Sequence, residues 1–224
     1  MFRKTFRVLM LAALLLALLL SSVTAESGFT LRNGICFGDS METVREKETL
    51  PFSEIAEIFL EENQLQTESG EVAGFKGVSV RYTFEEGRLA EVMWDMGNFS
   101  SNELSDSCYE KLYKAYTSKY GAALGNTNGK CHLITSNAMD EAVTLFMFYS
   151  LSDGVGDMRD YAEWIVHYGQ NENVKIDLVQ FYYGESYSKL RRTICVGYKY
   201  FTDDDLDAAI QEKETENQTI TNDI

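Results

Sequence analysis

The sequence has few of the residues on which most enzyme and metal sites depend. It contains two histidines, His132 and His167, and neither has the Asp-x-x-His spacing of a hydrolase or a His-x-x-x-His partner. There is no Cys-x-x-Cys motif and no glycine-rich phosphate loop. These absences argue against histidine-activated nucleophiles, zinc sites and nucleotide sites. We therefore expect a protein that is not an enzyme and that uses no cofactor or metal ion.

Basic residues are also scarce. The chain of 224 residues has 20 Lys and Arg against 35 Asp and Glu, which gives a formal net charge of −15. An acidic protein is repelled by nucleic acid and by anionic membrane surfaces, so neither is an expected partner. Proline is limited to Pro51 while aromatic residues are plentiful, a composition typical of an ordered, strand-rich globular protein.

The first 25 residues read as an export signal. Basic residues at positions 3, 4 and 7 precede an apolar run over 8–20, and small residues at 23–25 offer a cleavage site before Glu26. The run is shorter than the roughly 20 residues that a membrane span needs. No cysteine follows for lipid attachment, and no second apolar run of that kind occurs. We expect a secreted, extracytoplasmic protein without a stable membrane span, with retention of the signal as an anchor as the alternative.

The stretch around Gly38-Asp39-Ser40 raises two interpretations. Residues 29–37 alternate as a strand would, and a helix is predicted from Asp39 or Ser40, with Asp39 and Glu42 as a capping box. Alternatively, Ser40 would be the nucleophile of a GDSL-type esterase. That family also needs an Asp-x-x-His pair and an oxyanion Asn block, and this chain has neither. A capped helix explains the same residues, and a second short helix is expected after Ser53.

The remaining pattern predicts an α+β fold with a mainly antiparallel sheet packed against a few helices. A hairpin is expected from 78–84 and 90–96 across a loop at 85–87, and a helix over 102–120 ending at Gly121. Residues 142–150 fit either a buried strand or a short helix. Further strands are expected at 163–168, 174–183 and 194–200. We divide the chain into a signal peptide (1–25), one α+β domain (26–202, with possible halves 28–121 and 122–202) and an acidic flexible tail (203–224) of one or two helical turns.

The order of these elements resembles a known family. The sequence "FGDSMETV", a second helix and the hairpin "VSVRYTFEEGRLAEVMW" are similar to the helix-helix-strand-strand domains of bacterial envelope proteins. These are outer-membrane assembly lipoproteins of the SmpA/OmlA (BamE) type and β-lactamase-inhibitor-protein-like domains. The matching positions in this chain are Gly38, Ser40, Val44, Tyr82, Phe84, Gly87, Leu89, Lys119, Tyr120 and Gly121.

The resemblance covers roughly residues 28–121, and it implies a non-catalytic protein that binds other proteins through a sheet face or loops. The chain lacks the lipoprotein cysteine and any recognisable inhibitor loop. The alternatives are an extracellular hydrolase with an unrecognised carboxylate pair, or a carbohydrate-binding protein that uses exposed aromatic residues.

Four cysteines, Cys36, Cys108, Cys131 and Cys195, are the last candidate site residues. An even number of cysteines in an exported chain suggests disulfides, although four allow three pairings. Cys36 and Cys195 each lie on the less apolar side of a predicted strand, and Cys131 starts the segment that follows the helix of Cys108. We expect Cys36–Cys195 and Cys108–Cys131, with free thiols as the alternative, since Cys108 would pack well as a small apolar residue.

Overall fold

The computed structural model describes residues 29–54, 60–124, 134–152 and 154–222. These residues form four α-helices and a seven-stranded antiparallel sheet, which confirms the predicted α+β class. The predicted signal peptide lies outside the described residues, as does most of the short helix expected after Ser53.

The strands are β1 (Gln64–Gln66), β2 (Gly70–Val72), β3 (Phe75–Glu85), β4 (Arg88–Asp95), β5 (Val155–Gly169), β6 (Glu172–Gly184) and β7 (Leu190–Phe201). The sheet has the strand order β1-β3-β4-β7-β6-β5, and β2 pairs with the N-terminal part of β3. Each half of the chain contributes one antiparallel group of strands, and the two groups join where β4 pairs with β7. The helices are α1 (Met41–Lys47), α2 (Asn102–Tyr120), α3 (Asn137–Leu151) and α4 (Asp203–Asn222), with 3-10 turns at Arg32–Gly34 and Tyr187–Lys189.

Alternate residues of each strand point to opposite sides, so the sheet has two faces. On β6, Ile176 and Leu178 define the front face, while Val179 and Phe181 define the back face. All four side chains are buried, because helices cover the sheet on both sides. Although β6 is buried on both faces, its apolar residues alternate with buried polar ones, Lys175, Asp177 and Gln180.

The front face is covered by α1, α2 and residues 29–37. Helix α2 buries Cys108, Leu112 and Tyr116, which recur at the i, i+4, i+8 spacing of one helix face. Trp164 of β5 is fully buried there, and its indole N–H donates to the carbonyl of Gly121 at 3.1 Å. The predicted helix over 102–120 and its glycine stop are confirmed, since α2 ends at Tyr120 with Gly121 as its C-cap.

The predicted first strand over 29–37 is wrong. Asn33 and Gly34 adopt φ values of 56° and 72°, so the chain turns back on itself and Leu31 N–H donates to Ile35 O at 2.8 Å. An Asn-Gly pair tolerates this left-handed conformation better than other residues, which favours a tight turn over a straight strand. Of the apolar residues in this segment, Ile35 is fully buried in the front core.

The β3–β4 hairpin is confirmed, but its turn is shorter than predicted. Glu85 pairs with Arg88, and Glu86 and Gly87 form a two-residue turn at φ 51° and 76°. Phe84 then pairs with Leu89, and a register shift places Glu91 rather than Ala90 opposite Thr83. The bulge restores the apolar side chains to the front face after the tighter turn.

The acidic tail forms a longer helix than the one or two turns expected. Helix α4 runs for 20 residues. Its start is fixed by a reciprocal cap, since Thr202 N–H donates to the Asp205 carboxylate at 2.7 Å and Asp205 N–H donates to Thr202 Oγ1 at 3.1 Å. Three aspartates in the first turn add favourable charge at the positive end of the helix.

Candidate interaction surface

Helix α3 carries no charged residue from Ala142 to Leu151, and its two acids lie in its first half. A helix that is apolar on all sides is normally buried on all sides. Residues 142–150, which fitted either a buried strand or a short helix, are helical in the structure. No helix among the described residues combines the length and the apolar composition needed to cross a membrane.

The inner side of α3 lies very close to the back face of the sheet. Ala138 and Ala142 are buried against it. A Cβ on Gly197 would come within 2.9 Å of the Ala138 methyl group, and one on Gly156 within 3.1 Å of the Phe146 backbone. Small residues on the helix and glycines on the strands therefore permit this approach, and they set where the helix crosses the sheet.

The outer side of α3 is apolar and exposed to solvent. Val143, Phe146, Met147 and Leu151 are 44%, 45%, 54% and 86% exposed, at the i, i+3, i+4, i+8 spacing of one helix face. Met158 of β5, 38% exposed, lies two residues beyond Gly156 on the same side of its strand. We call these five residues the α3 patch. They account for five of the seven large hydrophobic residues that are exposed in the described part of the chain.

Beneath the first turn of α3, a buried lysine joins the helix to the sheet. Lys175 donates to the carbonyl of Ile134 at 2.8 Å and lies 3.2 Å from Asp177 and 3.8 Å from Glu163. The Tyr161 hydroxyl lies 2.8 Å from an Asp177 oxygen and 2.5 Å from a Glu163 oxygen, so its single proton can be donated to either acid. Both acids are fully buried, so this network is closed to solvent and works as an anchor for the segment that leads into α3.

A second anchor holds the N-terminus of α3. The Glu91 carboxylate accepts the backbone N–H of Asn137, and the Asn137 side chain donates to Thr83 Oγ1 at 3.0 Å. Burial raises the pKa of Glu91 to about 7, while the Asn137 N–H and the nearby Lys199 act in the opposite direction. A carboxylate at this position satisfies one of the free amides of the first helical turn.

The structure does not form the predicted Cys36–Cys195 disulfide. Both residues are free thiols, and Cys195 lies on the back face beside Met93 while Cys36 belongs to the turn segment on the front side. The prediction was wrong because residues 29–37 do not form a strand of the sheet. Cys108 is also a free thiol, buried against the front core, and burial raises its pKa to about 11. Its predicted partner Cys131 lies outside the described residues.

Ser40 is the N-cap of α1, as the capped-helix interpretation predicted. Its Oγ accepts the Thr43 N–H at 3.2 Å and lies 3.0 Å from Thr43 Oγ1. The predicted capping box of Asp39 and Glu42 is wrong, because Asp39 instead accepts the Cys36 N–H at 2.8 Å and pairs with Lys47 at 2.7 Å. The hydroxyl that resembled a nucleophile therefore holds a helix end.

The two histidines do not meet in a site that the structure describes. His167 Nδ1 bonds to the side-chain oxygen of Asn173, and His132 lies outside the described residues. Within the described ranges, no group of three or more His, Cys, Asp and Glu side chains is arranged to hold a metal ion.

Comparison with known proteins gives this chain no assignment. No family model, no curated protein and no solved structure matches it. The resemblance to SmpA/OmlA-type and β-lactamase-inhibitor-protein-like domains therefore stays a prediction.

Proposed function

We propose that the protein is exported and acts as a non-catalytic binding protein, which engages another protein through the α3 patch. The observation that carries this proposal is the exposed half of an otherwise apolar helix. Contiguous apolar surface of this kind costs solubility, and in soluble proteins it marks interaction sites. Phenylalanine and methionine, present here as Phe146 and Met147, are among the residues enriched in protein interfaces.

The helix is held firmly enough to act as a preformed ligand. The glycine contacts at its inner side and the two polar anchors at its start fix its position on the sheet. A surface that is ordered before binding loses less conformational entropy on association than a disordered one. Helix-in-groove recognition, in which residues at i, i+3, i+4 and i+7 or i+8 enter an apolar groove, fits this arrangement.

The charge of the chain favours a different protein over a second copy as the partner. The formal net charge is −15, and it becomes −18 if the three basic residues of the signal are removed. Two such chains repel each other. The strand edge beside the patch exposes Asp157 and Asp160. We therefore propose a partner whose apolar groove is bordered by lysine and arginine side chains.

The test compares partners captured by three forms of the purified exported protein. The first is the wild type, the second carries Phe146→Glu and Met147→Glu, and the third carries Leu104→Glu. Leu104 is 56% exposed but lies on α2, so it is a matched control for adding charge at an exposed apolar position. We expect a specific partner, bound by the wild type and the control and lost by the patch variant.

The salt dependence of binding by a captured partner is a second measurement. Its affinity for the wild type should fall as salt is raised, because rim charges contribute to association. Equal capture by the patch variant would refute the proposal. Sedimentation of the wild type as a dimer, with the patch variant monomeric, would assign the patch to self-association instead.

Export is tested separately. The mature protein recovered outside the cytoplasm should begin at Glu26, as read by mass spectrometry of its N-terminal peptide. A protein that retains its first 25 residues would contradict cleavage and favour the anchored alternative.

A further inference from the structure

A cleft of about 520 Å³ opens at the end of the sheet where the β3–β4 hairpin, β7 and the β5–β6 hairpin come together. Glycine allows its shape, because Gly38 at φ 84° turns the chain so that its N–H donates to the Leu89 carbonyl at 2.9 Å. The segment after the first turn thereby closes one side of the cleft. Its volume lies within the range of small-ligand sites, roughly 300–1,000 Å³.

The walls of the cleft are aromatic. Phe37, Tyr168 and Tyr200 line it, and the ring centroids of Phe37 and Tyr200 are 6.0 Å apart. All three are half-buried, so each ring presents part of its surface to the opening. Behind them, the ring centroid of Phe29 lies 6.1 Å from that of Phe37 and 5.9 Å from that of Tyr168. These contacts hold the rings in place.

Three carboxylates, those of Glu85, Glu86 and Glu172, line the same cleft together with a single cation, Arg88. Glu85 forms an ion pair with Lys199, whereas Glu86 and Glu172 pair with no cation in the described part of the chain. Glu172 lies close to both tyrosines, since its charge contributes to raising the pKa of Tyr168 and Tyr200 after the larger effect of burial.

We propose that this cleft binds an organic cation with an apolar stem, of the kind carried by a lysine or arginine side chain. Aromatic faces attract cations and also make contact with methylene groups. Glu172 and Glu86 supply the negative charge that receives the cation. A neutral or anionic ligand would leave both carboxylates without a partner.

The cleft and the α3 patch are separate sites. Met158 and Tyr168 lie ten positions apart along β5, which corresponds to roughly 30 Å of strand. The cation site therefore goes beyond the proposed function, and either one can fail without the other.

The test is calorimetric titration of the purified protein with short blocked peptides. One contains a central lysine, a second contains arginine, a third contains acetyl-lysine, and free pentane-1,5-diamine is a fourth probe. We expect saturable binding of a cationic probe and at least tenfold weaker binding of the acetylated peptide, because acetylation removes the charge and keeps the stem. Comparison of the peptides with the diamine distinguishes a protein side chain from a small amine as the source of the cation.

Two variants, one that removes a negative charge from the cleft and one that removes its positive charge, test whether the cation binds there. Glu172→Gln should weaken binding about tenfold, as expected for the loss of one charge-assisted contact, and Arg88→Gln should strengthen it. Glu110→Gln, on the exposed side of α2, is the matched control and should change nothing. Melting temperatures verify that each variant is folded, with Glu86→Gln as the replacement if Glu172→Gln is unstable. Equal binding of acetyl-lysine, no binding of any cationic probe, or no effect of the cleft variants would overturn the proposal.

Discussion

On the front face of the sheet, apolar and aromatic side chains meet α2, whereas on the back face the segment that leads into α3 rests on a buried lysine and two buried acids. The front core includes Trp164, Leu178 and Tyr198, all nearly inaccessible to solvent. The back core is smaller, and Lys175, Glu163 and Asp177 lie beside it at 2% exposure or less. The front face also has buried hydrogen bonds, from Gln180 to Ser105 and from Trp164 to Gly121, but its helix packs mainly through apolar contacts, whereas the segment before α3 rests on a buried cation and two buried acids.

The two faces differ in how narrowly they fix the position of the helix that packs on them. Hydrophobic burial is non-directional, so a helix can shift along an apolar surface at small cost. Hydrogen bonds and ion pairs in a buried site fix one geometry, because any displacement leaves polar groups unsatisfied. The back face therefore fixes where α3 begins, and the helix can keep an apolar outer side available for a partner.

Removing the buried lysine should have the largest effect. Lys175→Met leaves two buried acids without their cation, and we expect a loss of about 3–5 kcal/mol in the free energy of unfolding. Urea denaturation measures it. Lys114→Met, which breaks an exposed i, i+4 pair with Glu110, is the control and should change stability by less than about 0.5 kcal/mol. A small effect of Lys175→Met would show that the back face does not depend on the network.

Truncating a front-core residue should come next. Leu178 is fully buried, and Leu178→Ala should lower the free energy of unfolding by about 2–5 kcal/mol through lost burial and the cavity left behind. Hydrogen exchange distinguishes it from Lys175→Met. The front variant should reduce protection throughout the sheet, whereas the lysine variant should first expose the amides of α3. Identical exchange patterns in both variants would contradict a difference between the faces.

The pH dependence of stability should report Glu91. Its pKa is raised from 4.5 to about 7 in the folded protein, so the folded state binds this proton more tightly than the unfolded chain. Stability from this group is therefore greatest below pH 4.5 and is lost as the pH rises to about 7, by on the order of 3 kcal/mol. Glu91→Gln keeps the acceptor for Asn137 and should remove this slope. Parallel curves for the wild type and the variant between pH 4.5 and 7 would exclude the effect.

The sequence was sufficient for the elements whose pattern is local. The helix Asn102–Tyr120 has a regular stripe and a glycine stop, and β3, β6 and β7 have clear alternation, so each was predicted near its observed position. The first segment failed because its alternation competes with Asn33-Gly34, whose preference for positive φ produces a turn. The periodicity of the segment did not show that the turn preference of Asn33-Gly34 would override it.

Neither of the two proposed sites could be located from the sequence, and the reason differs from the one that applies to the first segment. The run from 142 to 151 was recognisable as apolar, but whether its outer side is covered depends on where it lies over the sheet. The cleft combines Phe37, Glu85 and Tyr200 from three separated parts of the chain. Such a site is defined by strand order, and strand order is not encoded in any single motif. The same limit explains the wrong cysteine pairing, which assumed that Cys36 belonged to the sheet.

The smallest expected effect concerns Ser40, on the side of the molecule that covers the front face. Ser40→Ala removes the acceptor of the Thr43 N–H and should lower the free energy of unfolding by ~0.5–2 kcal/mol. Helix α1 has only seven residues and buries a single side chain, Val44, while the chain just before it is held to β4 by the Leu89 N–H, which donates to the Asp39 carbonyl at 2.8 Å. Ser40→Asp, which supplies another capping acceptor with a favourable charge at the helix N-terminus, should recover most of the loss. Denaturation of the three proteins side by side provides the measurement. Hydrolysis of an ester substrate that disappears in Ser40→Ala would instead restore the nucleophile interpretation of this residue.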